Sequence, residues 1–220
     1  MNPGSSLTTL ACCALLLACA STQRKPDDAA DDGLVRVETA LLDELFVAPN
    51  VSLAHYRRVM LDPVEIEFRD GWRKQHPDLG DRDFELLRSR LTTALHDTLV
   101  AELARGGYTI AEAPAPDVLR LRATIVEAEF AAPESGTDKS TLVRSEGNMT
   151  LRVQGFDAPS GSLVARARDY EEDPETRVLQ RADRVTTFVA AQRIFQERAE
   201  GLRSALDVAT VSAGARQPAQ

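Results

Sequence analysis

Apolar and polar side chains take turns along Asp117–Phe130: Leu119, Leu121, Ala123 and Ile125 fall on one side, Arg120, Arg122 and Thr124 on the other. That period of two predicts a half-buried strand. Two further strands are expected over Asn148–Phe156 and Leu163–Tyr170, joined through DAPSGS, whose Asp, Pro, Ser and Gly favour a hairpin turn. In YRRVMLDPVEIEF the alternation runs through Val59 and Leu61, then changes phase across Asp62-Pro63 to Val64, Ile66 and Phe68. Pro63 has no N–H to give a ladder, so this reads as one strand with a bulge. Elsewhere the rhythm is three and four. Phe84, Leu87, Leu91, Leu95 and Leu99 mark a helix from about Asp83 to Arg105, and Gly106-Gly107 stops it because a glycine can take the left-handed closing conformation. Val185, Phe188, Phe195, Ala199, Leu202 and Leu206 mark a second helix of about 25 residues.

The order strand, helix, strand, strand, strand, helix predicts an α+β fold: a two-layer sandwich of a mixed or antiparallel four-stranded sheet with both long helices on one face. The segment ALLDELFVAPNVSLAHY shows no single period, and its Leu42, Leu45, Phe46 and Val47 are expected to dock on the domain edge. Thr109-Ile110 reads as a short extended piece.

The amino-terminal stretch LTTLACCALLLA is apolar for about a dozen residues, the length of a secretion-signal core and too short to span a bilayer. LLLACAS within it resembles the lipobox of bacterial lipoproteins, with Leu16 and Ala18 ahead of Cys19. The resemblance implies cleavage after residue 18 and acylation of Cys19, and two or more acyl chains hold a protein on a membrane. Ala20, where Asp would resemble an inner-membrane retention signal, favours the periplasmic face of the outer membrane. STQRKPDDAADDG is acidic and aperiodic, a solvated tether, and its Asp27, Asp28, Asp31 and Asp32 lack the spacing of a calcium loop. The expected organisation is a signal over 1–18, the lipidated cysteine and linker over 19–33, one domain over 34–209 and a disordered tail over 210–220.

Charge and chemistry narrow the partners. With 26 Lys and Arg against 34 Asp and Glu, the net charge of -8 opposes binding to nucleic acid. All three cysteines, Cys12, Cys13 and Cys19, lie in the amino-terminal apolar stretch, which leaves no disulfide framework, thiol nucleophile or cysteine metal site for the domain. His55, His76 and His96 form no metal-binding pair on a helix, and adjacent His96 and Asp97 point about 100° apart there. Neither a G-x-S-x-G elbow nor a P-loop is present. Scattered carboxylates such as Glu65, Glu67 and Asp169 remain the route to an unmarked hydrolase. No enzyme activity, metal or cofactor is expected. The feature to follow is Arg120, Arg122, Arg152, Arg166 and Arg168, which alternate with core positions and so share one sheet face, a candidate surface for anionic lipid headgroups or glycan. Glu65, Glu67, Glu127 and Glu129 on neighbouring strands offer the plainer alternative of cross-strand pairing. Trp72, in the polar loop RDGWRKQHPDLGD, is a candidate partner contact or a cap on the core.

LFVAPNVSLAHYRRVMLDPVEIEF, Trp72, LARGGYTI, DVLRLRATI and GNMTLRVQGFDAPSGSLVARARD together resemble a family of bacterial lipoproteins known as domain-of-unknown-function family 3313, from about Leu45 to Leu206. The resemblance implies an envelope location and a shared fold and brings no activity with it. Three functions are therefore carried forward: a non-enzymatic binding or envelope-assembly module, an accessory to lipid or lipopolysaccharide transport, and a hydrolase with an unmarked site.

Overall fold

A computed structural model describes residues 33–130, 141–143, 147–172, 180–182 and 184–214. The signal, Cys19 and nearly all of the linker lie outside the described residues. Two short strands come first, β1 (Val35–Arg36) and β2 (Glu44–Val47). A single 3-10 turn, Leu53–His55, leads into β3 (Arg58–Leu61) and β4 (Glu65–Phe68). The short α1 (Trp72–Gln75) and the long α2 (Asp81–Arg105) follow. Next come β5 (Thr109–Ile110), β6 (Val118–Phe130), β7 (Thr141–Val143), β8 (Gly147–Asp157), β9 (Leu163–Glu172) and β10 (Gln180–Ala182). The last element is α3 (Arg184–Gly214).

The fold is mixed α+β, but its main sheet has eight strands, not four. They run β1-β2-β9-β8-β6-β3-β5, with β4 also paired to β6. The added strands are short. β2, in the segment without a period, lies antiparallel on the outer edge of β9, and β5 lies parallel to β3. The predicted bulged strand is β3 and β4 laid end to end along β6 in parallel. Leu61 stands opposite Leu121 and Glu65 opposite Thr124, so one extra residue is accommodated at Asp62-Pro63. A separate pair, β7 with β10, was not expected from the sequence.

Leu119, Leu121, Ala123 and Ile125 are buried in one apolar cluster with Leu91, Leu95 and Leu99 of α2 and Ile194, Phe195 and Leu202 of α3. At the end of α2, Gly107 adopts φ 85°, the Tyr108 amide donates to the Leu103 carbonyl at 3.0 Å and the Gly107 amide to Ala104 at 3.0 Å. Those two bonds form a Schellman closure, in which glycine tolerates the left-handed turn. Helix α3 reaches Gly214, five residues past its expected end: Ala209 still packs against the core, and residues 210–213 include neither Gly nor Pro. Among the described residues, no helix is long and apolar enough to cross a membrane.

Candidate functional site

Strand register places all five arginines on one face, the side away from Leu119 and Ile125. One row across the sheet reads Glu44, Arg168, Arg152, Thr124, Glu65. The next reads Arg36, Phe46, Arg166, Gln154, Arg122. A third sets Phe156 beside Arg120 and Met60. Arg152 and Arg168 stand directly opposite each other, a like-charge pair that an antiparallel ladder normally avoids. Two guanidiniums rest on aromatic rings, Arg166 at 4.8 Å from the Phe46 centroid and Arg122 at 5.2 Å from that of Phe156. The face is not open along its whole length: Thr124 and Thr150, which share it, are buried.

The ion pairs on this face follow the expected cross-strand pairing only in part, at Arg152 and Glu67. Asp62, 14% exposed, takes two arginines: Arg120 Nε donates to Oδ1 at 2.7 Å, and Arg122 Nε lies 3.5 Å from Oδ2. Arg152 lies 3.6 Å from Glu67, and Glu129 pairs with Arg69 at 2.6 Å. Asp62 is held by the bulge. Its amide donates at 2.9 Å to the carbonyl of Leu121, the residue between the two arginines, and Pro63 follows with no N–H to extend the ladder. Reading the sequence identified the bulge at Asp62-Pro63 but not the role of the Asp62 side chain. The signal was an acid at a phase break, whose partner strand lies 58 residues away.

Other candidate residues fall elsewhere. Trp72 is 1% exposed, with Phe68 at 4.6 Å and His76 at 4.3 Å between ring centroids, so in this conformation it fills the core and offers no ring to a partner. Glu65 and Glu67 lie on the arginine face, whereas Asp169 stands opposite Leu151 on the other face and is buried against Arg198, with Nη1 donating to Oδ2 at 2.5 Å. These three carboxylates do not converge. Burial pushes the Asp169 carboxyl up, against the opposing pull of Arg198. His55 donates through Nε2 to the Pro116 carbonyl at 2.9 Å and His76 through Nδ1 to that of Trp72 at 2.8 Å. His96 is half-buried and Asp97 exposed on α2. Among the described residues, no three His, Cys, Asp or Glu side chains gather as a metal-binding group.

Two buried polar clusters were also missed. Tyr56, buried at the base of β3, donates to Asp157 at 3.2 Å, and burial together with that carboxylate pushes its hydroxyl up to about 12. Between the long helices, Glu102 is 1% exposed and accepts hydrogen bonds from Arg105 and Gln196, with Arg203 Nε 3.6 Å from its other oxygen. Arg203 continues to Asp207 at 2.7 Å, which accepts from Tyr108 at 3.2 Å. The stem of Arg203 crosses Gly106, where an added Cβ would come within 2.8 Å of its Cδ. Glycine at 106 is therefore required by a neighbouring side chain, and glycine at 107 by backbone conformation.

The family model described as "Protein of unknown function (DUF3313)" matches residues 27–202. No curated protein matches the chain. Among solved structures, the PelC dodecamer from Paraburkholderia phytofirmans is 15% identical, covering 72% of this chain and 96% of that one at a TM-score of 0.36. A Xanthomonas campestris protein is 9% identical over 73% and 89% of the two chains, with a TM-score of 0.38. A minor lipoprotein from Acinetobacter baumannii is 14% identical over 74% and 97%, with a TM-score of 0.25. At such scores these likenesses establish no role.

Proposed function

The chain belongs to the DUF3313 family of unknown function, and we propose that it is a lipid-anchored, non-enzymatic binding module at the periplasmic face of the outer membrane. The single observation that carries the binding role is the gathering of Arg120, Arg122, Arg152, Arg166 and Arg168 on one sheet face of a protein whose net charge is -8. A face on which arginines outnumber the acids Glu44, Asp62, Glu65 and Glu67, on an otherwise acidic molecule, favours an anionic partner, whether envelope glycan, lipid headgroup or protein. The anchoring rests on LLLACAS and acylation of Cys19. In this reading the two long helices form one layer over the Leu119 face, leaving the arginine side for recognition.

The lipid-transport alternative needs an apolar cavity of acyl-chain size. The apolar gap between α3 and the sheet, lined by Leu42, Leu119, Val153, Ala165, Leu202 and Leu206 among others, has a volume of about 20 Å³. That is room for about one water.

Metabolic labelling with a palmitate analogue, followed by fractionation, tests the anchor. The wild type is expected to take up label and sediment with outer membranes, and Cys19→Ala to lose both. A Cys19→Ala chain that still incorporates label would overturn it. Crosslinking in the envelope tests the binding role: a reproducible partner captured by the wild type is expected to be lost when Arg122, Arg166 and Arg168 become Glu. Capture that survives those substitutions would remove the arginine face from the proposal.

A further inference from the structure

We infer that Arg120 and Arg122, steered by Asp62 and backed by Phe156, form a binding site for a phosphate group. The inference deepens the reading of the arginine face and rests on it. Four observations carry it. Asp62 engages each guanidinium at Nε, the inner edge of the fork. Among the described residues neither arginine has a further hydrogen-bonded or ionic partner, so the outer Nη donors of both are uncommitted, with side chains 41% and 45% exposed. Arg122 is further fixed by lying over Phe156. One carboxylate serves two guanidiniums, so the cluster of three side chains keeps a net positive charge.

The geometry favours phosphate over carboxylate. A carboxylate has two oxygens in one plane and is satisfied by a single guanidinium fork. Here two forks, borne on residues about 6.6 Å apart along one strand, are drawn together by a common acid between them. Two forks together carry more donors than the two oxygens of a carboxylate accept, which suits a tetrahedral anion with three or more oxygens. Fixing both side chains through Asp62 also removes rotamer freedom before the ligand arrives, so less is lost on binding. Glu65 and Glu67 do not neutralise this pair: Glu67 lies against Arg152, and Glu65 stands beside Thr124 in the neighbouring row.

The role of Asp62 separates this site from a merely cationic surface. If attraction were by charge alone, Asp62→Asn would remove one negative charge and tighten phosphate binding. If Asp62 positions the arginines, the same change loosens it. The test uses the full chain carrying Cys19→Ala, titrated with inorganic phosphate by calorimetry and with vesicles of phosphatidylcholine, with and without phosphatidylglycerol, by co-sedimentation. Arg122→Gln is expected to weaken binding about tenfold or more, as loss of a charged hydrogen-bond donor does. Asp62→Asn is expected to weaken it several-fold, and Arg168→Gln to change it less than twofold. Phe156→Leu supplies a second positioning variant should Asp62→Asn unfold, and it is also expected to weaken binding. Saturable binding of inorganic phosphate with this variant pattern supports a site for the group itself. The same pattern with phosphatidylglycerol vesicles alone supports a site reading phosphate within a lipid headgroup. No saturable binding in either arm, or tighter binding by Asp62→Asn, overturns the inference. Either failure leaves Cys19 labelling untouched, so anchoring and recognition can fail separately.

Discussion

Two places in this molecule set one carboxylate against two arginines, and they do different work. Between the helices, Glu102 is almost sealed from water; Arg105 of the same helix pairs with it, and Gln196 and Arg203 reach it from α3 and tie the two helices together. On the sheet, Asp62 is partly accessible, and the arginines it holds keep their outer donors toward solvent. A sealed carboxylate stripped of its partners keeps the full cost of its desolvation, whereas Asp62, 14% exposed and paired with half-exposed arginines, recovers part of its hydration. The depth of the acid, more than the number of cations around it, decides whether such a cluster holds the fold together or stays free to meet a ligand.

The largest effect is expected at the buried cluster. Glu102→Ala leaves Arg203 without its inner partner at the helix seam and should lower the unfolding free energy by about 2–3 kcal/mol, below the full cost of breaking a buried pair because both arginines reach water. Urea unfolding followed by circular dichroism measures it, and a loss under 1 kcal/mol would erase the contrast with Asp62. Next come the two glycines. Gly107→Ala forces a side chain into the left-handed region and should cost about 1 kcal/mol, while Gly106→Ala pushes on the Arg203 stem and should cost a similar amount. In a Glu102→Ala, Arg203→Ala background the cost at 106 should largely vanish and that at 107 remain, so a double-mutant cycle separates the two causes.

How much of this was legible follows from range and length. The alternation in β6 and the hairpin of β8 and β9 each run for ten residues or more, and both were readable from local sequence. The phase break at Asp62-Pro63 was readable for the same reason, since it interrupts a pattern long enough to have a phase. β1 and β2, of two and four residues, are too short to show a period, and their strand character comes from pairing, β2 on the edge of β9 and β1 on β2. The β7–β10 pair joins segments far apart in the chain, and local patterning says nothing of such pairing. The arginine face was visible because period two sorts faces without knowing partners. Its ion pairs were not, because the parallel register of β3 on β6, which sets Asp62 between Arg120 and Arg122, is a long-range fact. Trp72 stood in a polar run, yet the packing of Phe68 and Phe84 around it draws the ring inward.

A smaller effect distinguishes two carboxylates by pH, one buried under the helices and one half-exposed just ahead of β6. Asp169, on the core side, has its carboxyl raised above the ordinary 3.8 by burial, with Arg198 pulling the other way. A carboxyl raised on folding binds its proton more readily in the native state, so stability increases as pH falls through the raised value toward 3.8. Asp117 has the opposite sign: hydrogen bonds from Arg58 hold its carboxyl below the ordinary range, giving stability that is present above 3.8 and lost as pH falls below it. The wild type should therefore gain on Asp169→Asn, and lose on Asp117→Asn, as the medium is acidified across those respective windows. Unfolding curves for the three proteins across that range give the signs directly.

The measurement that bears most directly on the central claim, that the arginine face is arranged for a ligand more than for the fold, is the unfolding free energy of the Arg120→Gln, Arg122→Gln double variant in the absence of phosphate. Half-exposed pairs contribute little to stability, so a loss of about 1 kcal/mol or less is predicted. A loss above about 3 kcal/mol, comparable to that of Glu102→Ala, would mean that Asp62 and its arginines hold the sheet together, and would contradict the account.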